Sequence, residues 1–283
     1  MSTDLRDAVS ADEFWNRLNA AMGQDGLISY RYIGRKGARI HGLPHDSVAL
    51  RRDMRNSTGG IMAAPIAIGI AETGGFTDFN ALPAPIVAGF SILDDARDVK
   101  EIWAKQEVVH LGRSMGFSRS VVFAANDPSR VIAVTRSVAI KVGEAPPSNG
   151  SETFPLYEEI PDSPHLPPLH QAFGAYRRDD GIWELPPLNF ESSSTSGSLH
   201  LGPIHIVFET AAMDVAAAHA GTDRLQVEDW EVMFAGRGVA GPFWVRTEGV
   251  GGRDRVAVRL TLIDEGKNQR VVAACNAVFR PVP

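Results

Sequence analysis

Residues 195–219, TSGSLHLGPIHIVFETAAMDVAAAH, limit the possible folds more than any other stretch. Proline is welcome in a first helical turn, where its missing N–H costs nothing, so a helix is expected to open near Pro203. The helical period then puts Ile204, Val207, Phe208, Ala211, Val215 and Ala218 on one face. The opposite face carries His205, Ile206, Glu209, Ala212, Met213 and Ala216, which suits water no better. A helix apolar all round is buried all round. It needs a sheet over one face and a further element over the other. Glu209 is therefore expected in a crevice at that second contact, and residues 199–202 offer unpaired backbone N–H groups beside it.

A recurrence along the chain supplies the second element. Gly112-Arg113 and Gly252-Arg253 lie 140 positions apart, as do Arg130-Val131 and Arg270-Val271. Gly60 and Gly202, like Glu72 and Asp214, lie 142 apart, a drift that one short loop insertion explains. Each half reads as a glycine loop and an apolar helix followed by strands. In the first half, residues 57–75 form the loop and helix, with Gly74 and Gly75 as the stop, and strands are expected over 86–93, 100–110, 117–124 and 131–142. In the second half the expected strands are 182–185, 226–234, 243–250, 256–263 and 271–280. Upstream, Ser10 and Glu13 form a capping box before a short amphipathic helix, and residues 27–32 and 38–43 read as strands around a glycine turn. A Pro/Ser-rich connector separates the repeats, which gives an N-terminal half 1–143, a connector 144–168 and a C-terminal half 169–283.

With 283 residues the chain can bury a sizeable core. Its net charge of −6 argues against a nucleic-acid surface or a polybasic membrane anchor. Cys275 is the sole cysteine, so no disulfide forms within the chain; its strand-like setting marks it as a small core thiol. The N-terminal residues lack the basic-then-apolar order of a secretory signal, and no apolar run stands out as a membrane span, so a cytoplasmic location is expected. No His/Cys/Asp cluster has metal-ligand spacing, and no metal is expected. Residues 236–241, GRGVAG, match a dinucleotide-binding pattern, but the strand-like PFWVR follows where that motif requires a helix; a turn is expected instead.

A loop with His200-Leu201-Gly202 followed, after six residues, by Glu209 resembles the His-Gly-Gly loop and acidic residue of hotdog-fold acyl-CoA thioesterases, in particular the phenylacetate-pathway and 4-hydroxybenzoyl-CoA enzymes. The resemblance covers nearly the whole chain as a tandem double hotdog, an α+β fold in which each half wraps an antiparallel sheet around a long central helix. It implies an acyl-CoA substrate, with coenzyme A as part of that substrate and no separate cofactor. It also implies a loop amide, from Leu201 or Gly202, that polarises the thioester carbonyl. Leu201 replaces the family's first glycine. In the first half, Thr58-Gly59-Gly60 aligns with the loop, but Ala67 stands where the acid belongs; Gly59, Gly60 and Glu72 are the candidates for a second or composite site.

Thioester hydrolysis needs an activated water or a carboxylate nucleophile, together with donors aimed at the developing oxyanion. Glu209 takes the first role. His200 is a loop-orienting donor or a base. Met213 is expected to line the acyl pocket, with Thr210 and Asp214 as secondary candidates, while Arg253 and Arg255 are candidate contacts for coenzyme phosphates. The competing structural reading pairs Glu209 with an arginine such as Arg237 or Arg246. Two functional alternatives stand beside hydrolysis: a hotdog-type enoyl-CoA hydratase or dehydratase, and a non-catalytic acyl-CoA-binding protein. The two halves are expected to pack on one another, and Trp230, Phe234 and Trp244 are candidates for an apolar patch that joins full-length chains into a homodimer or homotrimer.

Overall fold

The computed structural model describes residues 4–70, 75–76, 81–147, 154, 156–252 and 254–282. Helix α6 (Leu201–Ala220) is its axis. His200 caps its N-terminus, and Gly221, at φ 67°, closes it in the left-handed conformation that glycine adopts without strain. Eleven of its residues are buried, from both of the faces expected to be apolar. Among the described residues α6 is also the one helix long and apolar enough to cross a bilayer, contrary to the sequence reading. Its apolarity matches its burial in the core.

Around it runs one eleven-stranded sheet. The first half contributes β1 (Asp46–Ala49), β2 (Ala81–Ile92), β3 (Glu101–Leu111), β4 (Met115–Ala124) and β5 (Asp127–Glu144). The second contributes β6 (Tyr176–Arg177), β7 (Trp183–Leu185), β8 (Leu225–Phe234), β9 (Phe243–Gly251), β10 (Val256–Asp264) and β11 (Arg270–Pro281). The order is β1-β3-β4-β5-β2-β8-β11-β10-β9-β7-β6. Read outward from the centre, each half repeats one pattern, β2-β5-β4-β3-β1 on one side and β8-β11-β10-β9-β7 on the other. The halves join where β2 pairs antiparallel with β8, in the register Phe90↔Trp230. Both of those aromatic rings are buried.

Three local expectations change. Residues 27–32 and 38–43 are helical rather than extended, as α2 (Ile28–Ile33) and α3 (Ala38–His41). Alternating Ile28, Tyr30 and Tyr32 imitate a strand, but Gly34 and Gly42 sit at φ 70° and 66° and return their N–H groups to Tyr30 and Ala38, which closes helical turns. The first-half helix, α4 (Ala63–Gly69), is seven residues long rather than spanning most of 57–75. Residues 57–60 are held as a turn by the Asn56 side chain, whose Oδ1 accepts from Thr58 and Gly60 N–H. The proposed stop at Gly74 lies outside the described residues. Finally, Trp230 is fully buried and donates from Nε1 to His205, so it belongs to no surface patch. Exposed apolar side chains occur instead on β4 and β5, where Phe117, Val121 and Val134 face outward while Ser118, Ser120 and Ser137 face in.

The 236–241 segment is the turn its sequence context implies. The Asp264 carboxylate, fully buried, accepts from Val239, Ala240 and Gly241 N–H at 2.8, 3.1 and 2.8 Å. Asp264→Ala orphans three amides, and since each unsatisfied buried group costs about 1–3 kcal/mol, a urea titration is expected to show a loss of at least about 2 kcal/mol with an unchanged far-UV spectrum.

Candidate active site

Glu209 lies in the middle of α6 with 1% exposure. Its partners are two backbone amides at the start of α4: Ala63 N–H donates to Oε1 at 2.6 Å and Ala64 N–H to Oε2 at 2.8 Å. The carboxylate thus caps the positive end of the other half's helix. Neither Arg237 nor Arg246 reaches it. Arg237 binds Asp4 and the Ser196 carbonyl instead. Burial pushes the Glu209 carboxyl up to about 7, against the opposing pull of the two amide bonds. A buried carboxylate held by amides and no cation, with a proton affinity near neutrality, is the chemistry of a poised base.

The two helices run in opposite directions, since the start of α4 meets Glu209 while Ile70, at its end, faces Ile204 across a cavity of about 420 Å³. That cavity reaches the N-terminus of α6. Here His200 Nδ1 lies 2.7 Å from Ser29 Oγ and 3.4 Å from Gly202 N. An amide N–H only donates, so Nδ1 is the acceptor and the neutral ring carries its proton on Nε2. Burial, reinforced by Arg35 and His205, pushes the ring down to about 3, so it stays neutral at physiological pH. α2 packs so closely that a Cβ on Gly202 would meet Ser29 Oγ at 2.2 Å, which explains the glycine.

No family model matches the sequence, and no curated protein matches it. Solved structures do. An acyl-CoA thioesterase II, TesB2, from Mycobacterium marinum superposes with a TM-score of 0.57 over 89% of this chain and 97% of that one, at 12% identity. A conserved protein of unknown function with a hot dog fold from Alicyclobacillus acidocaldarius gives 0.57 over 90% and 98%, at 9% identity. The fold is the hotdog fold. The 12:0-ACP thioesterase of Umbellularia californica also matches, at 0.52 over 87% and 100% with 8% identity.

Within this hotdog frame the expected site residues separate. Glu209 and the Leu201 and Gly202 amides belong to one helix, eight and seven residues apart, a rise of roughly 10–12 Å, so those amides and that carboxylate do not face one reacting carbon. The donors beside Glu209 are Ala63 and Ala64, which sequence reasoning missed; the Pro65 that follows them, a first-turn signal, could have marked this helix start. His200 caps the N-terminus of α6, its Nδ1 accepting from Gly202 N–H. Thr210 turns back to the Ile206 carbonyl at 2.9 Å, and Asp214 points outward to Trp183 Nε1 at 2.8 Å. Met213 packs half-buried on the core. Gly59 turns the loop at φ 81°, and Gly60 is pressed against Gln226, whose Oε1 would lie 2.1 Å from an added Cβ. Arg255 is engaged by Glu228, which Arg280 also holds. Glu72 and Arg253 lie outside the described residues.

The raised Glu209 carboxyl predicts a pH dependence of stability. The unfolded chain releases this proton near 4.5 and the folded chain near 7, so the stabilisation is complete below 4.5 and is lost as pH rises through 7. A difference of that size is worth about 3 kcal/mol. Glu209→Gln cannot ionise and carries only a constant offset from one lost amide bond. In urea titrations its stability relative to the wild type is expected to rise by about 3 kcal/mol between pH 4.5 and 8; a difference independent of pH would refute the raised carboxyl.

Proposed function

We propose that this protein hydrolyses an acyl thioester, with Glu209 as base or nucleophile and the α4 amides as oxyanion donors. The observation that carries the reading is the Glu209 contact with Ala63 and Ala64, a buried carboxylate without a cation at a helix N-terminus contributed by the other half. Support also comes from fold neighbours named as thioesterases, one for acyl-CoA and one for 12:0-ACP. Coenzyme A is the carrier we favour, as part of the substrate. The repeated strand order supports a tandem pair of hotdog units in one chain, with the active carboxylate at their seam.

In this mechanism the substrate carbonyl takes an α4 amide from Glu209, and the freed carboxylate oxygen removes a proton from water as the water oxygen bonds to the carbonyl carbon. Collapse breaks the C–S bond, and the Glu209 proton passes to the departing thiolate, which gives the free acid and the thiol. Direct attack by Glu209 would break the C–S bond, expel the thiolate and give an anhydride; water then opens it to the free acid and the Glu209 carboxylate, and the proton released passes to the thiolate. A positioned base contributes about 10²–10⁴-fold and one oxyanion donor about 10²–10³-fold. A base with its ionisation near 7 suits neutral pH. A hydratase would require a different acid–base pair, whereas the groups that meet Glu209 are backbone amides.

Glu209→Gln, nearly isosteric, is expected to lower kcat on a panel of acyl-CoAs by about 10²-fold or more, read by thiol release, with near-UV dichroism unchanged. Wild-type kcat should climb through a single ionisation near 7 as the carboxylate forms. Full activity in the variant would sink the assignment.

A further inference from the structure

The cavity at the N-terminus of α6 stands at the opposite end of the helix pair from Glu209, and its chemistry is different. Among the described residues no acidic side chain lines it, whereas Arg6, Arg35, Arg237 and Arg270 do. Arg6 and Arg237 share Asp4, and Arg35 reaches Asp46 at 3.5 Å. Arg270 makes no ion pair among the described residues. Arg35 is 6% exposed, and its charge adds to the burial that disfavours the His200 imidazolium. His200, also 6% exposed, uses Nδ1 for Ser29 and Gly202, and its Nε2–H donates to no group among the described residues. A long helix dipole ends at the same point. Beyond this polar end the wall is apolar, with Leu18, Met22, Leu27, Pro83, Ile204 and Phe234. The volume of about 420 Å³ falls within the roughly 300–1,000 Å³ of small-molecule sites.

We propose that this cavity is a binding site, without hydrolysis, for a free aliphatic carboxylic acid, with the carboxylate on the His200 Nε2–H and the chain along the apolar wall. An anion is favoured because the described lining supplies cations, a helix N-terminus and one unsatisfied donor, and no acid. A chain is favoured because, apart from Tyr30 and the serine loop Ser194 to Ser198, the rest of the wall is mostly apolar. Turnover is absent because His200 is locked as a donor and Ser29 is fully buried behind it. This reading is independent of the hydrolytic one, whose groups lie at the other end.

Calorimetric titration of the full-length chain with dodecanoate tests it, with dodecanol as the uncharged control. One saturable site is expected, with dodecanol weaker by about tenfold or more. His200→Asp retains an oxygen suited to capping Gly202 but sets a negative charge against the ligand, and is expected to weaken dodecanoate by about tenfold or more. Leu201→Trp, a half-buried position on the cavity wall, should block binding by filling the space and serves if His200→Asp fails to fold. Glu209→Gln should bind dodecanoate as the wild type does, even with hydrolysis abolished. In ¹⁵N-labelled protein the His200 Nε2–H resonance should move on adding dodecanoate while Nδ1 stays unprotonated. The proposal is overturned by the absence of saturable binding, by equal affinity for dodecanol, or by loss of binding in Glu209→Gln with retention in His200→Asp, which would place the acid at the Glu209 end.

Discussion

The halves of this molecule meet around one buried negative charge and one helix end. α4 is too short to develop a strong dipole of its own, and its first amides would be orphaned in the core without the Glu209 carboxylate. The carboxylate in turn has no cation to offset its loss of water, and it settles by holding its proton more tightly. Each group is unfavourable alone. Together they fix the rotation of α6 and the approach of α4, and the small buried residues Ala63, Ala64 and Ala212 leave room for the two helices to come close.

The rest of the architecture follows from how unequally the repeats have filled their helix positions. α6 extends for twenty residues and buries both faces, while α4 stops at seven. Above the shorter helix the first-half sheet turns serines inward and Phe117, Val121 and Val134 outward, the reverse of the usual half-buried alternation. The second half keeps the ordinary sense, with Val258, Leu260 and Leu262 inside. The equivalent ends of the helix pair therefore differ: one is packed around a carboxylate, and the other is open beside an imidazole.

Much of this was readable from the amino acids alone because it is local. The period and apolarity of α6, the alternation in β4 and β10, and the offset between repeated glycines all lie within short windows. The α2 segment imitates a strand because Ile28, Tyr30 and Tyr32 alternate there, and only the left-handed Gly34 and Gly42 show that the turns of α2 and α3 close. The site itself was half legible. A carboxylate buried at a helix contact follows from the pattern around Glu209. Its donors do not, because they are main-chain N–H groups of two alanines about 145 residues away, with no side chain to signal them. The Ser29 hydroxyl that meets His200 likewise lies 171 residues away, and no spacing rule reaches that far.

The continuous sheet, closed at its centre by β2 against β8, has a genetic meaning as well as a mechanical one. In a pair of identical subunits every substitution appears at both ends of the interface, so an acid gained at one end is gained at the other and a cavity opened once is opened twice. A single chain that supplies both units escapes that constraint. On the tandem reading proposed above, one end can specialise while the other drifts or acquires a separate task, and a contrast such as Glu209 against Ala67 is what that freedom would leave.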